Sequence, residues 1–440
     1  MKHSSDPQRI LGFWDSSSII LGIVIGVGIF RVPSDVAQYI PCPQWALAAW
    51  LIGGLICVTG ALCFAELATL FPETGGAYVY LKESYGPGVG FLFGWVELLI
   101  IRPGAIAGVS FVFAEAVLSL FQLNPWTLKW VAGICIGCLM VINLCGLRYT
   151  KEIQKGLVGV FLFIFLIVLS AAVFSGKGNP NFLHWADRKW EAGFWRSMGL
   201  GLIPILWTYG GWHENTFLGG ETRNPRRLLP AALVLSIGVI TLIYVMTNAV
   251  YFYLFPWEQI RSSGLVMSDA TRLIFGPVGQ KIFEILLIFT AISSSNGTLM
   301  TGSRVAYALS RDHRILGVLS RVSGRQRTPY AAIIFISFLS LAMVFVSDFH
   351  RLIFFTGVAV WIFFAFIAGS LFILRLKGIA GLKGYSTYGY PVIPLVFLAA
   401  CIFLFANTLI AYPAQSMIGC MMILSGIPVY MLSKKTQGLP

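Results

Sequence analysis

The chain has 440 residues, of which 57% are hydrophobic and only 11% charged, whereas about a quarter of a soluble domain is charged. That balance excludes a soluble globular enzyme, a disordered protein and a nucleic-acid binder. The net charge of +13 needs no anionic partner if its Lys and Arg residues collect on the cytoplasmic side of a membrane protein.

A bilayer crossing takes about 20 mostly apolar residues, and about 12 such segments can be drawn along the chain. They are 10–38, 45–71, 88–121, 127–147, 153–175, 194–219, 230–255, 277–309, 329–347, 350–374, 390–411 and 414–432. The polar start, with Lys2, His3 and Arg9, runs straight into the first segment without a small-residue cleavage site, so no signal peptide is expected. With an even number of crossings, both termini share a side. About 20 of the basic residues fall on that side and about 10 on the other, which predicts cytoplasmic termini in a plasma (inner) membrane protein. The most basic connection, Arg311 to Arg327 between segments 8 and 9, fits this topology and could also meet anionic lipid.

Segment 1 carries Gly26-Val27-Gly28-Ile29-Phe30 in its middle, and segment 6 carries Trp207-Thr208-Tyr209-Gly210-Gly211-Trp212 at similar depth. A crossing helix must satisfy its own main-chain hydrogen bonds, so an unwound stretch at that depth belongs where it lines a cavity. The two stretches lie five segments apart, in corresponding places of two five-helix halves. That pattern predicts an inverted-repeat secondary transporter with its site at the repeat interface. The expected organisation is one transmembrane transporter domain over 1–440. Repeat 1 would cover about 10–175 and repeat 2 about 194–374, with two further helices at about 390–432.

The chemistry follows from the breaks. A half-helix starting near Gly28 offers free N–H groups and a positive dipole end, which suit a carboxylate. A half-helix ending at Trp207 to Gly210 offers free carbonyls, which suit an ammonium. Together they describe an α-amino acid zwitterion. Glycines at Gly26, Gly28, Gly210 and Gly211 let a ligand approach the main chain. The substrate side chain would meet an apolar wall from Ile25, Val27, Trp207 and Trp361, which favours neutral L-amino acids because an unpaired charge there is costly to bury.

No enzyme motif is present: there is no His-Glu-x-x-His, Gly-x-Ser-x-Gly or Walker Gly-x-x-x-x-Gly-Lys, and paired broken helices fit alternating access better than a channel. No cofactor is expected. The cysteines lie mostly in apolar runs, and Cys135-x-x-Cys138 lacks a second pair at zinc spacing, so neither a metal nor a disulfide framework is expected.

Four stretches together resemble the L-type amino acid transporter family of the amino acid–polyamine–organocation superfamily, over about Leu11 to Leu432. The first is Gly26-Val27-Gly28-Ile29-Phe30. The second comprises Gly60-Ala61-Leu62-Cys63-Phe64-Ala65-Glu66-Leu67, Thr74-Gly75-Gly76-Ala77-Tyr78 and Glu97-Leu98-Leu99-Ile100-Ile101-Arg102-Pro103. The third is Tyr209-Gly210-Gly211-Trp212 with Glu221-Thr222-Arg223-Asn224-Pro225-Arg226-Arg227-Leu228-Leu229-Pro230. The last is Ser295-Asn296-Gly297 with Ser303-Arg304. The resemblance implies an all-α, LeuT-like fold of five plus five inverted helices plus two, 12 in all, and sodium-independent amino acid transport, commonly by exchange. By position it implies carboxylate binding by the main chain of Val27 and Gly28. It implies ammonium binding by the carbonyls of Trp207, Thr208 and Gly210, with Trp207 closing over the substrate from outside.

Three departures stand out. Val27 replaces the family's Ser at the first break. Phe161 is matched to a Lys of segment 5 that faces segments 1 and 8, where sodium sits in sodium-coupled relatives; Ser293 and Ser294 with segment 1 carbonyls could still hold a cation. His213-Glu214 follows Trp212, where the family has Asn and an uncharged residue. Phe161, His213, Glu214, Ser293, Ser294 and Asn296 are therefore the coupling or gating candidates. The connection between segments 3 and 4, Gln122-Leu123-Asn124-Pro125-Trp126, lacks the Cys through which animal members bind a heavy subunit. No disulfide-linked subunit is expected, and the chain looks prokaryotic.

Ionisable residues inside the apolar segments are functional candidates by default. Glu66 and Glu115 lie near segment ends and are read as packing. Arg102 is expected to pair with Glu97, and Glu221 to tie segment 6 to the cytoplasmic gate. His213-Glu214 stays open between a hydrogen-bonded pair in a wet cavity, a proton-coupling role and direct contact with a cationic substrate. A proton-coupled symporter on the same fold is thus the alternative to an exchanger.

Overall fold

The computed structural model describes residues 8–182, 193–324, 326–346, 349–379, 385–411 and 413–437. The first crossing consists of two helices, α1 (Phe13–Val24) and α2 (Gly28–Tyr39), bent by 46° at the break. Then come α3 (Pro43–Leu70), the short α4 (Ala77–Tyr85), α5 (Pro87–Val96) and, after one π turn, α6 (Arg102–Phe121). Helices α7 (Leu128–Leu144), α8 (Leu147–Phe174) and α9 (Phe194–Thr208) lead to the second break. Beyond it lie α10 (Pro225–Leu254), the short α11 (Trp257–Ser262) and α12 (Val266–Phe275), and the long α13 (Pro277–Asp312). The chain finishes with α14 (Tyr330–Val346), α15 (Phe349–Leu376), α16 (Val392–Ala411), α17 (Pro413–Leu424) and α18 (Gly426–Gln437).

Among the described residues there is no strand, only isolated bridges between Leu11 and Thr222 and between Thr74 and Leu218. Among the described residues, nine helical stretches are long and apolar enough to cross a membrane, ten with the bent pair α1/α2 taken as one. The remaining two expected segments fall on α9, of 15 residues, and α14, of 17. The protein is a nearly all-helical, polytopic membrane protein.

The expected sixth crossing differs in its second half. After Thr208 the chain turns at Gly211, whose φ of +100° suits glycine. It continues as single 3-10 turns at Glu214–Phe217 and Gly219–Glu221. Side chains there cap their own main chain, Thr216 Oγ1 donating to the His213 carbonyl and Thr222 Oγ1 to that of Leu218. Such local bonds compete with regular helix.

The most extensive contacts join α10 to α3 and α13 to α6, each pairing a crossing with the one five further on. Glycines permit the close approach: a Cβ on Gly54 would sit 2.3 Å from Thr241 Oγ1, and one on Gly302 2.8 Å from Arg102 Cδ.

At one end of the bundle the packing is closed. Leu11, Ile19, Ile23, Leu147, Leu218 and Met300 form a buried apolar plug. The N–H groups of Ile10 and Leu11 donate to the Glu221 carbonyl at 2.9 and 3.0 Å. Asp15 receives Lys151 and Lys155 of α8, each at 3.0 Å. Arg304 grips Glu221 with Nε and Nη2 at 2.9 and 3.0 Å, both side chains buried. Glu66 is also fully buried. Arg375 Nη2 donates to it at 3.0 Å and the Thr387 N–H at 2.7 Å, binding α3 to α15 and the connection that follows.

Removing one partner of a buried pair strands the other charge, at a cost of about 3–5 kcal/mol. Arg304→Met should therefore lower the melting temperature in detergent clearly, and Glu221→Gln in the same chain should recover part of the loss. A single variant that melts with the wild type would show that this pair does not hold the closed end.

Candidate functional site

Both breaks exist, and they meet. A Cβ placed on Gly28 would lie 2.7 Å from Thr208 Cγ2, so the start of α2 rests directly on the end of α9. Glycine is required at position 28 by this contact.

The main-chain groups freed by the breaks are partly claimed. Tyr244 of α10 lies with its hydroxyl 2.6 Å from the Val24 carbonyl and 3.2 Å from that of Thr208, touching both broken ends at once. Ser294 Oγ donates to the Ile23 carbonyl at 3.2 Å. The Gly210 N–H donates to the Trp207 carbonyl at 2.9 Å. Of the three carbonyls expected to receive an ammonium, Trp207 and Thr208 thus each keep one lone pair, since a carbonyl oxygen has two. No hydrogen bond to the Gly210 carbonyl is seen among the described residues. On the other side, the Phe30 N–H donates to the Val27 carbonyl at 3.1 Å, and the N–H groups of α2 before it have no acceptor within their own helix.

A cavity of about 560 Å³ runs along both breaks. Gly26, Val27, Gly28, Trp207, Thr208, Gly210, Gly211 and Trp361 line it, as do His213, Glu214, Ser294, Glu97 and Arg102. Trp207 is 41% exposed in it. The cavity reaches Arg31, Asp35, Gln38 and Tyr39 of α2, so it extends away from the closed end. Ile25 does not belong to this wall. It is buried in the hydrophobic core, whereas Val27 is only partly buried against that core and reaches the cavity.

A charged group sits beside the cavity. Arg102 Nε donates to Glu97 and Nη1 to Glu214, the latter at 2.5 Å, with all three side chains buried. The π turn Glu97–Ile101 makes this possible: residues five apart stack in a π turn, whereas in an α-helix they diverge. Thr301 Oγ1 of α13 donates to Glu214 at 2.7 Å, and the Arg102 guanidinium lies 5.1 Å from the Phe217 ring centroid. His213 and Glu214 do not form a hydrogen-bonded pair. The His213 ring packs against Phe64, Trp212, Phe217 and Phe364, and its buried Nδ1 has no hydrogen-bond partner. Glu221 lies with Arg304 at the closed end, away from the cavity.

The expectation for Phe161 needs correction. The α8 side chain between α1 and α13 is Gln154. Its Nε2 donates to Ser293 Oγ at 3.0 Å, and its Oε1 accepts from Asn296 Nδ2 at 2.7 Å. Asn296 Oδ1 in turn accepts from Asn143 Nδ2 at 2.9 Å. Gly22 of α1 packs on Gln154, where a Cβ would be 2.2 Å from its Nε2. Phe161 is seven residues on, so it shares the helix face but lies about 10 Å further along. There it stacks on Phe165 among apolar neighbours. Gln154 was the signal in the sequence, a lone amide at the edge of an apolar run; Tyr244 gave no comparable signal.

The profile of the amino acid permease family matches residues 11–433. The chain is similar to the serine/threonine exchanger SteT of Bacillus subtilis (strain 168), 30% identical over 432 residues and covering 97% of both chains. It is also similar to the human b(0,+)-type amino acid transporter 1, 30% identical over 438 residues, 97% of this chain and 88% of the relative. The human cystine/glutamate transporter is 32% identical over 431 residues, 94% of this chain and 83% of the relative. With two broken helices meeting in one cavity of a polytopic bundle, the chain belongs to the amino acid permease family of the amino acid–polyamine–organocation superfamily, as a membrane transporter of amino acids and not an enzyme.

Proposed function

We propose that this transporter exchanges neutral L-amino acids without sodium, by alternating access, on a LeuT-like framework of two inverted five-helix repeats followed by two further helices. The observation that carries this reading is the contact of Gly28 with Thr208, which brings the two broken ends into one cavity. The N–H groups at the start of α2 would take the substrate carboxylate, and the carbonyls of Trp207, Thr208 and Gly210 its ammonium. The pairing of α3 with α10 and of α6 with α13 supports the repeat assignment.

Neutral selectivity is supported by the wall of Val27, Trp207 and Trp361 and by the engagement of Glu214 with Arg102 and Thr301. A carboxylate already bound to a guanidinium is a poor receptor for a second cation. Sodium independence is supported by the amide at Gln154. It occupies the space between α1 and α13 and ties up Ser293, while Ser294 is used by the Ile23 carbonyl. The connection over 122–126 has no cysteine, which supports a chain that works without a disulfide-linked subunit. The basic bias supports a plasma-membrane protein with the closed end and both termini in the cytoplasm and the cavity facing outside.

Purified protein in liposomes tests the reading. Labelled leucine or alanine should enter only when unlabelled amino acid is inside, and neutral amino acids should compete better than arginine or glutamate. Entry into empty vesicles at the same rate would make it a uniporter, and dominance by arginine would overturn the selectivity. Replacing sodium with choline should leave uptake unchanged; a several-fold loss would mean that a cation binds beside Gln154. Gly28→Val should reduce uptake at least about tenfold, since its branched side chain collides with Thr208 and covers the α2 N–H groups. Normal uptake by this variant would move the site elsewhere.

A further inference from the structure

Two buried carboxylates share one guanidinium beside the cavity. The side chains of Arg102, Glu97 and Glu214 are 2%, 4% and 8% exposed. Fully ionised, the triad carries one negative charge more than positive. Among the described residues, no further cation is paired with it. Arg304 of α13 is held by Glu221. His213 is enclosed by aromatic rings. Toward the triad and the cavity beside it, α13 presents the hydroxyls of Thr298 and Thr301, and α15 presents Trp361, Phe363 and Phe364. Arg31 and Asp35 stand together on α2 in the part of the cavity away from the closed end.

An unbalanced charge is tolerable while the open cavity admits water. It becomes costly once apolar walls close around the substrate. A neutral amino acid brings no net charge to offset it, whereas a proton does. Helix α13 also supplies a route. Thr290, Ser294 and Thr298 line the cavity, and Thr301 continues the series to Glu214. Their spacings of four, four and three residues put these hydroxyls on one helix face, over about 16 Å. Thr290 Oγ1 is buried without a hydrogen-bond partner among the described residues, an end left over for water.

We propose that the Glu97–Arg102–Glu214 triad is a proton-binding site, ionised in the open cavity and singly protonated when the cavity closes on a neutral substrate. Each substrate then crosses with one proton, passed from hydronium in the cavity along the α13 hydroxyls to a carboxylate oxygen and released when the other side opens. This rests on the exchange reading above.

The test uses the full chain in liposomes with the same neutral amino acid on both sides and the same pH inside and outside, because one-for-one exchange returns each proton that it carries and moves no net charge or acid. Labelled exchange should be several-fold faster at about pH 5.5 than at about pH 7.5. In Glu214→Gln the ratio of these two rates should fall to about one, whatever their absolute size, because the remaining Glu97–Arg102 pair is balanced. Wild-type exchange that runs equally at both pH values overturns the proton site and spares the exchange reading. A pH ratio in Glu214→Gln as large as in wild type overturns the assignment to this triad. Absence of labelled exchange with every amino acid overturns the underlying reading and the proposal with it. The wild-type ratio of rates at the two pH values decides even if the variant does not fold.

Discussion

A bilayer offers no water to the main chain, so every N–H and C=O group released by a break must find a partner inside the protein. This constraint organises the centre of the molecule. Breaking the first crossing at Ile25 to Val27 frees the carbonyls of Ile23 and Val24, which are met by Ser294 and Tyr244. A further orphan arises in α2. Pro33 has no N–H for the Ile29 carbonyl four residues before it, and Tyr251 supplies the missing donor at 3.4 Å. Tyr244 and Tyr251 are seven residues apart on one face of α10. A single helix thus serves the first crossing on both sides of its break. The groups left without such service are those that face the cavity.

Charge is distributed by the same economy. Arg102, Arg304 and Arg375 each lie against a buried carboxylate, and each joins distant parts of the chain. Arg304 acts at the closed end with the apolar plug around Leu11. Arg375 fastens α15 to α3. Arg102 alone meets two carboxylates, and it alone lies on the cavity. The other ion pairs and the cluster beside the cavity are therefore built from the same parts and differ in stoichiometry and placement.

Much of this was legible in the sequence, because the strongest signals in a membrane chain are apolar length and its interruption. Apolar runs gave the crossings, and Gly26 to Phe30 and Trp207 to Trp212 gave the breaks. The pairing of Glu97 with Arg102 could be guessed from proximity, but the π turn that aligns them and the arrival of Glu214 from another crossing could not. Ile25 was misplaced because a break abandons helical periodicity, so the facing of its residues is set by the turn. Phe161 was misplaced because seven residues return to the same helix face: spacing gives the face of a helix, and only packing gives the depth. Tyr244 was invisible, since a tyrosine in an apolar run reads as bulk until its hydroxyl is seen to reach a carbonyl.

The contact between Gly28 and Thr208 has an evolutionary consequence. Where a ligand's constant part meets peptide N–H and C=O groups, the recognising atoms are the same in every residue but proline, and no other point mutation can delete them. Only the glycines that keep them accessible are exposed to selection. The surrounding walls, Val27, Trp207 and Trp361, are side chains that a point mutation can change. A lineage built this way can change its diet while keeping its grip. Relatives whose names specify serine/threonine exchange and cystine/glutamate transport align with this chain over nearly its whole length at about 30% identity.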